Sequence, residues 1–265
     1  MKKIILILVV ALMGCHTYVQ VYDVVSPDTY IKENKPVFEN DTVKITYWFW
    51  SDNGVMAFSI YNKLDKPIFI DWKISSCIIN DNKLNYWQDE LETTSSSFYS
   101  SYYFKQQNPM LTNQNEIVNN GASIGNSKTI KPERLTSIPP KSNYYRYQFY
   151  LTKNYVSLGT NYIDSSKLDK YKYANKLITE KYKFKYRNFD YSESPLKFRN
   201  YIAICFAENS HEYTYIDNSF YVSGVKEMIT EDFYGYEYHN AVYDFPFHNN
   251  SSFYIYLGGN KTTTK

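Results

Sequence analysis

The chain has 265 residues, with 29 Lys+Arg against 27 Asp+Glu and a formal net charge of +2. That near balance excludes the basic surface on which nucleic-acid binding depends, and the length suits one large domain or two small ones able to bury a core without covalent staples. The 30 Tyr and 16 Phe favour strands.

Residues 1–15 read as an address. Lys2 and Lys3 precede an apolar run from Ile4 to Met13, too short for a membrane-spanning helix of about 20 residues. Leu12-Met13-Gly14-Cys15 then reads as a lipobox, the signal that precedes cleavage and acylation in bacterial lipoproteins, although Met13 stands where a smaller residue is commoner. Cys15 is therefore expected to become the mature N-terminus and to carry palmitate-type acyl chains, each buried CH₂ adding about 0.8 kcal/mol of membrane attachment. Losing Lys2 and Lys3 with the leader leaves 27 basic against 27 acidic residues, a neutral mature chain. His16-Thr17-Tyr18-Val19 follows the cysteine, not an acidic run. That points to the periplasmic face of the outer membrane rather than the cell surface. Residues 16–40 read as a tether, with Val19 to Val25 as a candidate short strand.

Residues 41–257 are expected to form a single all-β domain, an antiparallel β-sandwich of Ig-like architecture with little helix. Its nucleus is 43–79. Asn53-Gly54 predicts a two-residue type I′ turn with φ > 0 at both positions, setting Phe49 opposite Phe58 and Tyr47 opposite Ile60. Strand alternation then gathers Val43, Ile45, Tyr47, Phe49, Met56, Phe58 and Ile60 on one face. Lys63 to Pro67 is a turn. Ile68, Ile70, Trp72 and Ile74 form the inner face of a third strand running on through Cys77 to Ile79. Residues 88–130 read as an insertion with little regular structure. Leu135–Pro140, Tyr145–Leu151, Phe198–Phe206, Tyr213–Val222 and Phe253–Leu257 read as strands. Residues 153–193 are a second insertion in which Ser166–Thr179 fits a polar helix, and 258–265 a disordered tail.

Three segments carry a family resemblance: Ile60 to Lys73, Ser194 to Tyr201, and Phe220 to Met228. The chain resembles uncharacterised lipoproteins of the Bacteroidota type over about two thirds of its length. The resemblance implies an envelope lipoprotein and no particular activity, so no catalytic residue follows from it.

No chemistry-bearing motif survives scrutiny of its context. Gly121-Ala122-Ser123-Ile124-Gly125 matches the nucleophile-elbow pattern, but no strand-turn-helix is expected around Ser123. His16, His211, His239 and His248 lack metal-ligand spacing. Two acidic groups, Asp89/Glu90/Glu92 and Glu231/Asp232/Glu237, read as solvated charges; held at the right separation they would suit glycoside hydrolysis. Aromatic clusters at 98–104 and 234–238 suit either sheet covering or ligand binding. Cys77 and Cys205 are expected to stay unpaired, since alternation turns each away from its strand's apolar face. The expectation is a non-enzymatic envelope lipoprotein with no cofactor and no metal. It is held to the bilayer through Cys15 and binds an envelope protein or glycan. The alternative is an envelope glycan or peptidoglycan hydrolase using carboxylates.

Overall fold

The computed structural model describes residues 17–87, 92–100, 122–130, 133–173, 176–208, 210, 212–235, 237–238, 242–243 and 245–257. The leader with Cys15 and the 258–265 tail lie outside them. In chain order the strands are β1 (Tyr18–Val25), β2 (Tyr30–Lys32), β3 (Lys35–Glu39), β4 (Val43–Tyr47), β5 (Val55–Asn62), β6 (Ile68–Asp71), β7 (Ser76–Ile79), β8 (Asn82–Asn85), β9 (Glu92–Ser100) and β10 (Ala122–Ile130). There follow β11 (Leu135–Ile138), β12 (Asn143–Tyr150), β13 (Ile163–Tyr173), β14 (Lys176–Asn188), β15 (Lys197–Cys205) and β16 (Thr214–Ile229). The helix α1 (Thr230–Tyr234) precedes β17 (Glu237–Tyr238), β18 (Val242–Tyr243) and β19 (Ser252–Leu257). The chain is all-β and antiparallel, as its alternation predicts.

Two units are distinct. One is Trp87–Arg134, where β9 and β10 pair as a hairpin with Ser100 opposite Ala122 and Glu92 opposite Ile130. Regular pairing thus occupies both ends of a segment read as irregular. The described residues of the other unit form two large sheets and the short β17–β18 pair. The larger runs β11-β6-β15-β16-β1-β19, with β7 and β8 added beside β15 and β14 and β13 beside β16; the smaller runs β12-β5-β4-β3-β2. Their inner faces meet through aromatic rings. Phe49 packs edge-on to Phe198 at 5.3 Å and to Phe220 at 5.2 Å, and Tyr47 to Phe220 at 4.8 Å.

Buried polar groups cross this core and each finds a partner, as burial demands. Tyr86 donates its hydroxyl proton to Asn200 Oδ1 at 2.7 Å, and Asn200 Nδ2 donates to the Tyr47 hydroxyl at 3.2 Å. Tyr47 in turn donates to Asn218 Oδ1 at 2.8 Å.

The β4–β5 hairpin keeps the expected faces but not the expected register. Asn53 and Gly54 both have positive φ, at 64° and 59°. Tyr47 nevertheless lies opposite Phe58 and Ile45 opposite Ile60, two residues from the two-residue-turn register. The loop is longer because other backbone claims it: Asn53 N–H donates to Tyr254 O at 2.7 Å, and Tyr254 N–H donates to Ser51 O at 3.2 Å. A shift of two preserves parity, so all seven residues assigned to the inner face are buried.

Three other expectations are corrected. Residues 16–40 are not a tether: β1 lies between β16 and β19, and Val19, Val21, Tyr22 and Val24 are buried. Residues 166–179 are not a helix, because β13 and β14 pair along their whole length from Ile163–Tyr186 to Tyr173–Lys176. The 68–79 run is broken. Asp71 Oδ1 accepts the Lys73 N–H at 3.0 Å and Asp71 O accepts the Ser75 hydroxyl at 2.7 Å, an Asx-type turn that separates β6 from β7. Trp72 stays in the core, its indole N–H donating to Thr136 Oγ1 at 2.8 Å.

That break also resets parity for Cys77. Cys77 and Cys205 are both fully buried rather than outward, and both are free thiols. Cys77 lies opposite Asn200 on β15, so five residues of strand, roughly 17 Å, separate it from the level of Cys205. A bridge needs Cα atoms within about 7 Å.

Candidate functional site

The outer face of the five-stranded sheet is the most distinctive surface of the described chain. It arises from a decision made by β12. Alternation on this strand sets Tyr144, Arg146 and Gln148 on one side and Tyr145 and Tyr147 on the other. Neither set is purely apolar, and the arginine side turns inward. Arg146 has its guanidinium carbon 4.0 Å from the Trp72 ring centre and 4.9 Å from that of Tyr86. It donates to Tyr86 O at 2.6 Å and to Gln148 Oε1 at 2.7 Å. A cation between two aromatic faces with its donors matched is well satisfied while half-buried. Tyr145 and Tyr147 are thereby turned outward, 66% and 70% exposed.

Beneath them β5 supplies small side chains. Ser59 lies opposite Tyr145 and Ala57 opposite Tyr147; on the other flank Trp48 N–H donates to Ala57 O at 3.1 Å. The Trp48 and Tyr145 ring centres are 6.2 Å apart. Their strands both flank β5 and so stand about 9.6 Å apart; the two rings therefore lean together over it, and Ala57 and Ser59 are buried beneath. Lys44 sits over the Tyr61 ring at 5.6 Å and Lys153 over that of Tyr150 at 5.8 Å, adding cations at the margins. The Phe149 bulge (φ 64°), between Gln148 and Tyr150, brings Tyr150 onto the same outer face. The result is a ring-walled platform with hydroxyl tips and a narrow floor.

A separate pair of clefts flanks β14. One, of about 540 Å³, is lined by Tyr155, Leu158, Tyr162, Lys185 and Glu227. The other, of about 510 Å³, includes Tyr18, Lys181, Lys183, Lys185, Asp164 and Asp232. Two of the carboxylates, Glu227 and Asp232, have structural partners. Glu227 Oε2 accepts the Gln20 side-chain amide at 2.8 Å, and Asp232 Oδ2 accepts the Lys183 backbone N–H at 3.1 Å.

The residues weighed in the sequence fall apart in space or outside the described set. Ser123 is the second residue of β10, paired with Tyr99, with strand after it and not the helix an elbow needs. His248 packs edge-on against Trp50 at 5.0 Å; His16, His211 and His239 are outside the described residues. Glu231 and Asp232 lie in the first turn of α1, whereas Asp89, Glu90 and the side chains of Glu92 and Glu237 are outside the described set. Among the described residues no group of three or more His, Cys, Asp or Glu could hold a metal ion, and no helix is long and apolar enough to cross a membrane. Trp48, Tyr145 and Tyr147 had no place among the sequence-level candidates. The one signal available was a strand whose two faces are both aromatic-polar. No family model, curated protein or solved structure matches this chain.

Proposed function

We propose that the protein is a cell-envelope lipoprotein, acylated at Cys15 and held at the periplasmic face of the outer membrane, whose sandwich is a non-enzymatic module that binds an envelope glycan. The observation that carries the binding reading is the outward platform of Trp48, Tyr145 and Tyr147. Pyranose rings present flat C–H faces edged by hydroxyls. The exposed Tyr145 and Tyr147 rings, with the half-buried Trp48 ring beside them, offer matching flat area, and their polar tips remain hydrogen-bonding. The anchoring reading rests on the order of charge, apolar run, Gly14 and Cys15.

Two measurements test this. Binding of the soluble domain to immobilised envelope polysaccharides and peptidoglycan fragments should fall about tenfold for Trp48→Ala or Tyr145→Ala, a loss of one stacked ring. Unaltered binding in both variants would remove the platform from the account. A palmitate analogue should label the wild type and not Cys15→Ser; equal labelling would remove the anchor.

A further inference from the structure

Thr17, the first described residue, is already part of the fold. Its carbonyl accepts the Thr230 N–H at 3.0 Å and the Thr230 hydroxyl at 2.8 Å. Two residues of fully extended chain reach about 7 Å, so an acylated Cys15 holds the body against the bilayer with no spacer between them.

Beside this exit stands the β13–β14 hairpin. Only Lys185–Asn188 of β14 pair with β16, so the hairpin runs on past the sheet. Facing positions across it share a side: Leu168 with Lys181, and Ser166 with Lys183. Leu168 is 62% exposed and Tyr18, at the chain exit, 41%. Tyr18, Lys181 and Lys183 line one cleft. An uncovered leucine among exposed lysines, with a tyrosine alongside, is the composition of a lipid interface. There lysine stems lie along apolar surface with their ammonium groups at the phosphates, and tyrosine sits at headgroup depth. Asp164, Glu227 and Asp232 line the same cleft beside Lys181, Lys183 and Lys185 and keep their charge, so the contact rests on the exposed leucine, the lysine stems and the chain exit and not on an excess of positive charge.

We infer that this face of the hairpin, from Leu168 to Lys183 and including Tyr18, rests on the phospholipid headgroups of the bilayer that holds the acyl chains. The inference rests on acylation of Cys15 as proposed above. The anchor supplies a high effective concentration, so a contact too weak to recruit a free protein suffices to fix the orientation of a tethered one.

The test uses the full acylated chain in nanodiscs of phosphatidylethanolamine and phosphatidylglycerol carrying a headgroup-linked quencher. A fluorophore is attached through Ser166→Cys, on the docking face, or through Asp65→Cys, on the exposed turn between β5 and β6. Quenching is expected at 166 and not at 65. Lys181→Glu with Lys183→Glu should weaken it by about fivefold per lysine, the usual worth of a cation at an anionic surface. Equal quenching at both positions, with the acyl mass present on Cys15, overturns the docking and leaves the anchor standing. Absence of that mass overturns both.

Discussion

At the scale of single residues, Tyr47, Tyr86 and Cys77 tie stability to pH. Burial pushes both phenols well above the ordinary tyrosine value of 10.0, and pushes the Cys77 thiol from 9.0 up to about 12. The native state thus retains protons that the unfolded chain releases first. The unfolded state binds fewer protons as pH rises through 9–10, so unfolding becomes easier there. Stability should be full below about pH 9 and fall steadily above it. Urea midpoints taken from about pH 7 to about pH 11 read this directly. A midpoint that stays level through that range would mean the hydroxyl chain is hydrated rather than enclosed. At the same scale, Trp72 and the seven inward residues of 43–60 were legible because period-two alternation survives errors of register. Cys77 was not, since its facing depended on a turn that the Asp71 and Ser75 side chains create by bonding backbone four residues or fewer away.

Among the elements, β1 is a strand where Val19 to Val25 offered one, but its place in the core and the β13–β14 hairpin were both missed, for opposite reasons. Val19 to Tyr22 is buried on both faces, which erases alternation and leaves a short apolar run in front of a Pro- and charge-rich stretch. The hairpin is polar, so Ser166 to Thr179 carries little pattern of either period. A signal was nevertheless present just downstream, where Lys181, Lys183, Lys185 and Arg187 alternate with Tyr182, Phe184 and Tyr186. Gln20 shows why β1 matters beyond its own ladder. Its Oε1 accepts the Val156 N–H at 3.0 Å and its Nε2 donates to Val156 O at 2.6 Å, while the Tyr22 hydroxyl donates to the same Oε1 at 2.6 Å. One side chain thereby pins the connection between β12 and β13. Gln20→Leu should cost about 1–3 kcal/mol, the penalty for buried polar groups stripped of partners, and should speed hydrogen exchange at the Val156 amide ahead of global unfolding. If that amide keeps its native protection while the melting temperature drops, the side chain stabilises the sheet but does not hold the loop.

At the scale of the whole molecule, the placement of β1 makes the N-terminal segment part of the cooperative unit. Val19 and Val21 form a second core with Met228, Phe233, Tyr182 and Phe247, on the side where α1 packs. Tyr22 stacks on Phe253 of β19 at 4.7 Å. Removing β1 would part β19 from β16 and open this second core. Val19, Val21, Tyr22 and Val24 would each forfeit about 1.5–3 kcal/mol of burial, a total on the order of the 5–15 kcal/mol that holds a whole domain together. A chain beginning at residue 26 is therefore expected not to fold, whereas one beginning at residue 16, without its acyl group, is expected to fold as the full chain does. Near-ultraviolet circular dichroism and urea unfolding of the two purified chains decide this. A cooperative transition in the shorter chain, at the midpoint of the longer one, would show that the segment is dispensable and that β1 is only laid against a sheet complete without it.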